Sequence, residues 1–362
     1  MRGRVVDEGP PESDRLPDAP HPRATPLLIG HEAAERELLE AYRSGRMHQA
    51  WLIGGPQGIG KATLAWRLAR FLLSYPDPSL PAVQRAQDLS SPMDAPPARR
   101  VIVRSHADVV GLRREWDQKG KKHYTEIRID DVRSGVELFR RAASEGGWRI
   151  AIVDSAEDLN KSSANALLKI IEEPPPKSIF LIVAHRPGQT MATIRSRCRK
   201  LILEPLPEAQ VVEAVTSLMG PWSSRPAAEI ATAARRSGGS VREAILMLGS
   251  ESLEVIDAAE ALLARLPAVD WSAVYRLAEA SNGRAGQEAF DALMNVVFDW
   301  IDRSLRAKAE AGGRPRSLAP YAEVWEKIAA SARETQALNL DRRPLVLSIF
   351  TDLAAAVTAS RA

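Results

Sequence analysis

Ala50-Trp51-Leu52-Ile53-Gly54-Gly55-Pro56-Gln57-Gly58-Ile59-Gly60-Lys61 is a short apolar run that breaks into a glycine-rich turn ending on a lysine. The run is strand-sized, and the residues from Lys61 to Ser74 carry the spacing of an amphipathic helix. Strand, glycine turn and helix in that order form the context of a phosphate-binding loop. Glycines at 55, 58 and 60 let successive backbone N–H groups point into one concavity. The helix N-terminus adds positive dipole, and Lys61 reaches toward outer phosphates. Gly55, Gly58, Gly60 and Lys61 are therefore the expected phosphate ligands. The next position, which in such loops carries Ser or Thr for Mg²⁺, is Ala62. Thr63 is the nearest hydroxyl, but it lies one residue on, turned by ~100° around the helix. Phosphate binding is expected to survive this change, and metal positioning to suffer from it.

Outward from this stretch, strand and helix patterns alternate. Thr125–Ile129 predicts a strand, and Asp130 or Asp131 predicts the cap of a helix running to about Ala143. Arg149–Val153 predicts a fully buried strand with Asp154 at its carboxyl end. Asn160 or Ser162 opens a helix through Ile171, which Pro174-Pro175-Pro176 stops, and Ser178–Ala184 predicts another buried strand. This alternation over residues 25–205 predicts an α/β fold: a parallel sheet with helices on both faces. Asp154 stands where a carboxylate organises Mg²⁺ beside a nucleotide. Hydrolysis needs a glutamate next to it, and that neighbour is Ser155. Glu157 and Asp158 read as a solvated turn. After the Ile179–Val183 strand, where a polar sensor would touch the outer phosphate, stand Ala184 and His185, and His185 reads as a surface loop residue. With three catalytic positions altered, the expectation is ATP binding, with Mg²⁺, and weak or no turnover by this chain alone.

The remaining sequence sets the domain plan. Residues 1–24, with Pro10, Pro11, Pro17, Pro20 and Pro22 among acidic side chains, predict a disordered tail. It has no apolar segment of the secretory kind. Residues 75–100 hold six further prolines and read as a long loop inside the α/β domain. Beyond Pro205 strand signals vanish. Three short helical patterns over 206–250 predict a helical lid, and longer ones over 251–362 an all-helical terminal domain. The 362 residues carry 49 Lys+Arg against 46 Asp+Glu, a net charge of +3, so a nucleic-acid contact needs a local patch or a partner. Arg113, Arg114, Lys119, Lys121 and Lys122 are such a cluster, but Glu115 and Asp117 interrupt it, and it reads as a charged solvated hairpin. Trp271, Phe290, Phe298 and Trp300 read as core or subunit contact. Cys198 is the single cysteine, which excludes an internal disulfide and any multi-cysteine metal site. No apolar run approaches the ~20 residues of a membrane span, so no membrane partner is expected and the location is read as cytoplasmic.

One further pair of motifs is more specific than the loop. Asn165-Ala166-Leu167-Leu168-Lys169-Ile170-Ile171-Glu172-Glu173-Pro174-Pro175 is followed by Ile194-Arg195-Ser196-Arg197-Cys198-Arg199. Together with Ile29-Gly30-His31, the Gly55–Lys61 loop and Gly239-Ser240-Val241-Arg242, they make the chain resemble the AAA+ clamp-loader family over residues 21–250. That resemblance implies an AAA+ fold with a helical lid and a C-terminal oligomerisation collar. It implies a non-motor subunit of a hetero-pentamer with motor and delta subunits, which opens a sliding clamp and places it on primed DNA. Any polymerase activity would belong to the holoenzyme. It implies that Arg197 acts as an arginine finger in a neighbour's ATP site, where a guanidinium supplied in trans neutralises charge on the γ-phosphate. It also implies that Arg242, on the lid, faces the chain's own phosphate loop. Relatives often carry a cysteine zinc module after the phosphate-loop helix. Residues 75–100 contain no cysteine, so no zinc is expected here. The readings set against this one are a motor ATPase, a nucleotide-independent scaffold with a vestigial loop, and a DNA-repair AAA+ protein.

Overall fold

The structure, a computed structural model, describes residues 10–16, 18–141, 143, 147–218, 220–249, 252–283, 286–310, 315–338 and 340–360. The chain divides into two units, Met1–Ile245 and Leu246–Ala362. In the first, α1 (Glu32–Arg43), β1 (Ala50–Gly54) and α2 (Lys61–Ser74) lead to two short helices, α3 (Pro81–Arg85) and α4 (Pro96–Ile102). Then come β2 (Val109–Leu112), the hairpin strands β3 (Trp116–Asp117) and β4 (Lys122–His123), and α5 (Ile129–Val136). They are followed by β5 (Arg149–Asp154), α6 (Lys161–Glu172), β6 (Ser178–Ala184), α7 (Ala192–Arg195) and β7 (Arg199–Ile202). Three helices, α8 (Glu208–Ser217), α9 (Ala227–Arg236) and α10 (Val241–Gly249), end the run, and the division between the units falls inside α10.

The sheet has five parallel strands in the order β2-β5-β6-β1-β7. Both faces are covered, which is why its central strands are continuous apolar runs rather than alternating ones. Within β1, Trp51 and Ile53 join Leu38, Leu64 and Phe71 from α1 and α2 on one face. Ala50 and Leu52 join Val132, Leu167 and Leu168 from α5 and α6 on the other. A slip of one residue would exchange the two sets, so the packing pins the register Leu52↔Ile182. The carboxyl ends of β5, β6 and β1, adjacent strands, release Asp154, His185 and the glycine turn side by side. A crevice at such strand ends is the usual ligand position in open α/β sheets.

Helix α6 starts where the sequence predicts. The Asn160 side chain accepts from the backbone N–H groups of Ser162 and Ser163, both at 2.9 Å. Elsewhere the structure differs from the sequence reading. Thr125–Arg128 is no strand: it makes one bridge, Ile127 to Leu159, and Ile129 already begins α5, with Arg128 rather than Asp130 or Asp131 at the cap. Only Ile127 of that stretch is fully buried, so its alternation reflects one anchor and not a sheet face. Strands β2 and β7 were invisible because each is four residues long at a sheet edge. Residues 75–100 contain the helix α3 and the start of α4, and bury Val83, Leu89 and Ala98 against the domain.

The largest correction concerns the N-terminus. Residues 1–9 and 17 lie outside the described residues, but from Pro10 onward the predicted tail is folded onto the domain. Glu12 pairs with Arg23, Arg104 and Arg113, and Asp14 pairs with His21 and Arg113. A short helical turn at Pro22–Ala24 ends the segment. Two of the Glu12 partners, Arg104 and Arg113, lie 92 and 101 residues away, so composition alone reads the segment as unpaired.

The second unit is all-helical: α11 (Ser252–Ala264), α12 (Trp271–Ala280), α13 (Gln287–Glu310), α14 (Pro315–Ala337) and α15 (Arg343–Ala359). Its core gathers Leu262, Val274, Leu293, Val297, Ile328 and Phe350. Phe290 is buried, with the Arg342 guanidinium 5.0 Å from its ring centre. Phe298 and Trp300 are half-buried against Trp325 and Tyr321. Trp271 and Tyr275, one turn apart on α12, are 43% and 58% exposed. Among the described residues, no helix is long and apolar enough to cross a membrane.

Candidate functional site

The turn after β1 has three glycines in the left-handed region: Gly55 at φ 139°, Gly58 at φ 80° and Gly60 at φ 110°. Two of them are also required for space. A Cβ at Gly55 would meet the Leu203 carbonyl oxygen at 2.3 Å, and one at Gly58 would meet Ser240 Oγ at 2.3 Å and Arg242 Cβ at 2.4 Å. The lid therefore sits directly on the loop, and the Arg242 backbone N–H donates to Gly58 O at 3.4 Å. His31, at the start of α1, is buried with Nε2 2.6 Å from Ile59 O, which ties the loop from its other side.

Lys61 is 2% exposed, and its Nζ donates back to the Pro56 carbonyl of its own loop. Burial pulls its pKa down to about 8, against the pull of Asp154 and Glu157. At Asp154 the opposite happens: burial first, and the nearby Asp14 carboxylate second, push the acid up to about 7. Thr63, on the first turn of α2, faces the same cavity. That cavity is about 780 Å³ and brings together Gly58, Gly60, Lys61, Thr63, Asp154 and Arg242. Six of the seven expected nucleotide contacts are thus gathered, and Gly55 shapes the turn behind them.

Two further groups belong to the cavity although the sequence reads them as surface. His185 lines it with Nδ1 buried and without a hydrogen-bond partner among the described residues. Burial, and then the Lys61 charge, drive its pKa down to about 4, so it is a neutral imidazole. Asp158 also lines the cavity and pairs with Arg114 at 3.1 Å, while Glu157 Oε1 accepts from the Arg186 backbone N–H at 2.6 Å. Of the turn that reads as solvated, Asp158 is part of the wall and Glu157 is not. Their signal is positional: His185 follows directly on the carboxyl end of β6, and Asp158 ends the short turn after β5.

Arg197 lies elsewhere. It does not line the cavity, its side chain is 39% exposed, and its Nη2 contacts Glu172 Oε1 at 2.6 Å. Its Nη1 donates to Thr193 O at 3.1 Å. The Arg197–Glu172 ion pair joins the end of α6 to the turn after α7, and so ties the Asn165–Pro175 motif to Ser196-Arg197-Cys198 in space. Cys198, next in sequence, is buried in the core beneath, and burial pushes its thiol up to about 12, which leaves it inert.

Residues 30–207 match the family described as DNA polymerase III, delta subunit. The delta-prime subunit of Escherichia coli DNA polymerase III is 29% identical over 272 residues, which is 74% of each chain. Over this region the chain is similar to the delta-prime subunits of DNA polymerase III. The delta-prime subunit of Yersinia pestis is 33% identical over 166 residues, although that match covers only 44% of the Yersinia chain. The tau subunit of E. coli DNA polymerase III is 26% identical over 89% of this chain and 47% of its own. Among solved structures, a gamma subunit-related protein of Thermotoga maritima covers 88% of this chain at 18% identity, with a TM-score of 0.37. At that score the likeness adds nothing to the fold read from the sheet. The residues matched by the family model include the glycine turn, Lys61, Asp154 and His185 of the cavity, but not its Arg242 or its N-terminal wall.

Proposed function

We propose that this chain is the delta-prime component of a DNA polymerase III clamp loader. In this reading it assists the ATP-dependent loading of a sliding clamp onto primed DNA, in a hetero-pentamer with motor and delta subunits. The observation that carries the proposal is the pairing of a formed phosphate cradle with an arginine on a different surface. An exposed Arg197 docked on Glu172 is available to a neighbouring molecule, whereas Arg242 and Lys61 serve the chain's own cavity. In the neighbour's site Arg197 would neutralise charge on the γ-phosphate.

The chain's own cavity fits a phosphate group better than a metal ion. The glycine cradle, the start of α2 and Lys61 supply N–H donors and positive charge. Ala62 offers no oxygen where a loop of this kind places its metal-side hydroxyl, and Thr63 lies one residue on around the helix. A bound nucleoside triphosphate would supply a ligand that lid and loop hold between them; Gly58, Gly60, Lys61 and Arg242 would bind and orient it. Ser155 and Ala184 give no group to activate water, so the reading is binding with weak or no turnover. The second unit would be the oligomerising collar, with Trp271 and Tyr275 as exposed apolar contacts.

Reconstitution with motor and delta subunits tests this. The chain is expected to co-purify in the pentamer, and Arg197→Ala to lower the ATPase of the complex with assembly intact. Failure to assemble, or unchanged ATPase and clamp loading, would discard the proposal. Turnover by the purified chain alone would favour a motor ATPase instead.

A further inference from the structure

The N-terminal segment is not explained by the proposed function. The side chains of Glu12 and Asp14 are 8% and 5% exposed, unusual burial for carboxylates. Glu12 is held by three guanidinium groups: Arg23 at 2.8 Å, Arg104 at 2.9 Å and Arg113 at 2.9 Å. Arg23 in turn donates from Nε to Ile102 O at 2.9 Å, and Arg113 is itself buried. His21 stands edge-on to Trp66, their ring centres 6.0 Å apart. The segment is thereby pinned across α2 and the loop after α4.

This pinning has a consequence for the nucleotide cavity. Residues of the N-terminal segment, among them Ser13, Asp14, Leu16 and Ile29, form part of its wall, together with the lid residues Leu206, Leu218 and Ile245. Asp14 lies on that wall and shares the cavity with Lys61 and Asp154. Its carboxylate is held ionised by His21 at 3.1 Å and Arg113 at 3.4 Å, even though burial opposes the charge. A pocket built to take an anionic phosphate chain thus has a fixed negative charge in its wall.

We infer that Asp14 is an affinity-setting residue of the nucleotide cavity, a carboxylate that the N-terminal segment holds in the wall to weaken binding of a nucleoside polyphosphate. Arg113 offsets part of its charge, so the effect is moderate; His21 adds little, because burial holds its pKa below the ordinary histidine value. Like charges across a partly buried cavity repel at an effective dielectric between those of water and protein. Glu12 acts indirectly, as the residue that positions the wall. The inference rests on the reading of this cavity as a nucleotide site, and the experiment separates the two.

Binding of ATP to the full chain is measured by competition with a fluorescent N-methylanthraniloyl-ATP, for wild type, Asp14→Asn, Glu12→Gln and Lys61→Ala. Asp14→Asn is expected to lower the ATP dissociation constant by about five- to tenfold, a difference that shrinks as salt is raised. Glu12→Gln is expected to lower it by a smaller factor, because it loosens the segment without removing the charge. A purely structural role for Asp14 predicts weaker binding and a lower melting temperature, never salt-sensitive tightening. If wild type binds ATP through Lys61 and Asp14→Asn binds it no tighter, the inference is overturned and the nucleotide reading stands. If neither wild type nor Asp14→Asn binds ATP while both remain folded, the inference and the nucleotide reading fall together.

Discussion

The cavity around Lys61 and the edge around Arg197 hold cations in opposite circumstances. Lys61 is almost fully buried, clasped by its own loop and shifted toward neutrality by the loss of water. Arg197 is well exposed and held by a surface carboxylate, in a kind of pair that contributes little to stability. A buried lysine of this sort is preorganised, since its geometry is fixed before a ligand arrives. An exposed arginine retains a guanidinium that stays charged and a side chain long enough to reach another molecule. One region is built to hold a ligand and the other to be handed over.

The comparison breaks most readily at Arg197. In a reconstituted pentamer whose other ATP sites are disabled, Arg197→Ala is expected to slow turnover at the facing site by about 10³-fold. Nucleotide binding by this chain should stay unchanged, and a parallel loss there would erase the distinction between the two regions. Lys61→Ala is the complementary test. Loss of a charge-assisted donor, worth ~2 kcal/mol, should weaken ATP binding to the chain about 30-fold. Isothermal titration checks this, and the melting temperature of the unliganded variant should fall little or even rise.

Asp154 sharpens the electrostatic side of the comparison. Its pKa is raised from 3.8 to about 7, so the folded state keeps a proton that the unfolded chain gives up. The ionisation penalty is absent below the unfolded value, grows between the two, and is complete above pH 7. Asp154→Asn should therefore stabilise the protein by on the order of 2 kcal/mol at pH 8, with the gain vanishing toward pH 4. Thermal melts at the two pH values decide it, and an equal gain at both would remove burial as the cause. The smallest effect is expected at Glu172→Gln. Breaking its contact with Arg197 should change stability by less than ~1 kcal/mol in urea denaturation. A loss several times larger would mean that the pair is structural and Arg197 is not free to leave it.

Much of this was legible because it depends on local rules. The Gly55–Lys61 turn announces its own geometry, since glycines beside a buried strand leave few other conformations. Asn160 signals its cap, and the runs Arg149–Val153 and Ser178–Ala184 are apolar because both faces of the sheet are covered. What stayed hidden depends on partners remote in sequence. Thr125–Ile129 alternates like a strand but pairs only through the single bridge of Ile127 to Leu159, whereas Val109–Leu112 pairs with β5 without any alternation. His185 and Asp158 resemble ordinary loop residues until the strand ends bring them to one cavity. Glu12 and Asp14 belong to a proline-rich, acidic stretch, and no local rule reveals that three arginines await them.

The sequence by itself determined the α/β class, the phosphate cradle and the loss of its metal-side hydroxyl at Ala62, because glycine conformation, strand periodicity and side-chain chemistry are properties of a few adjacent residues. Only the tertiary structure decided which charges meet. It set Arg242 on Gly58, docked Arg197 on Glu172 away from the cavity, and brought Asp14 into the wall beside Asp154. Electrostatics acts through space over several ångströms, and the chain's folding, not its order, sets those distances.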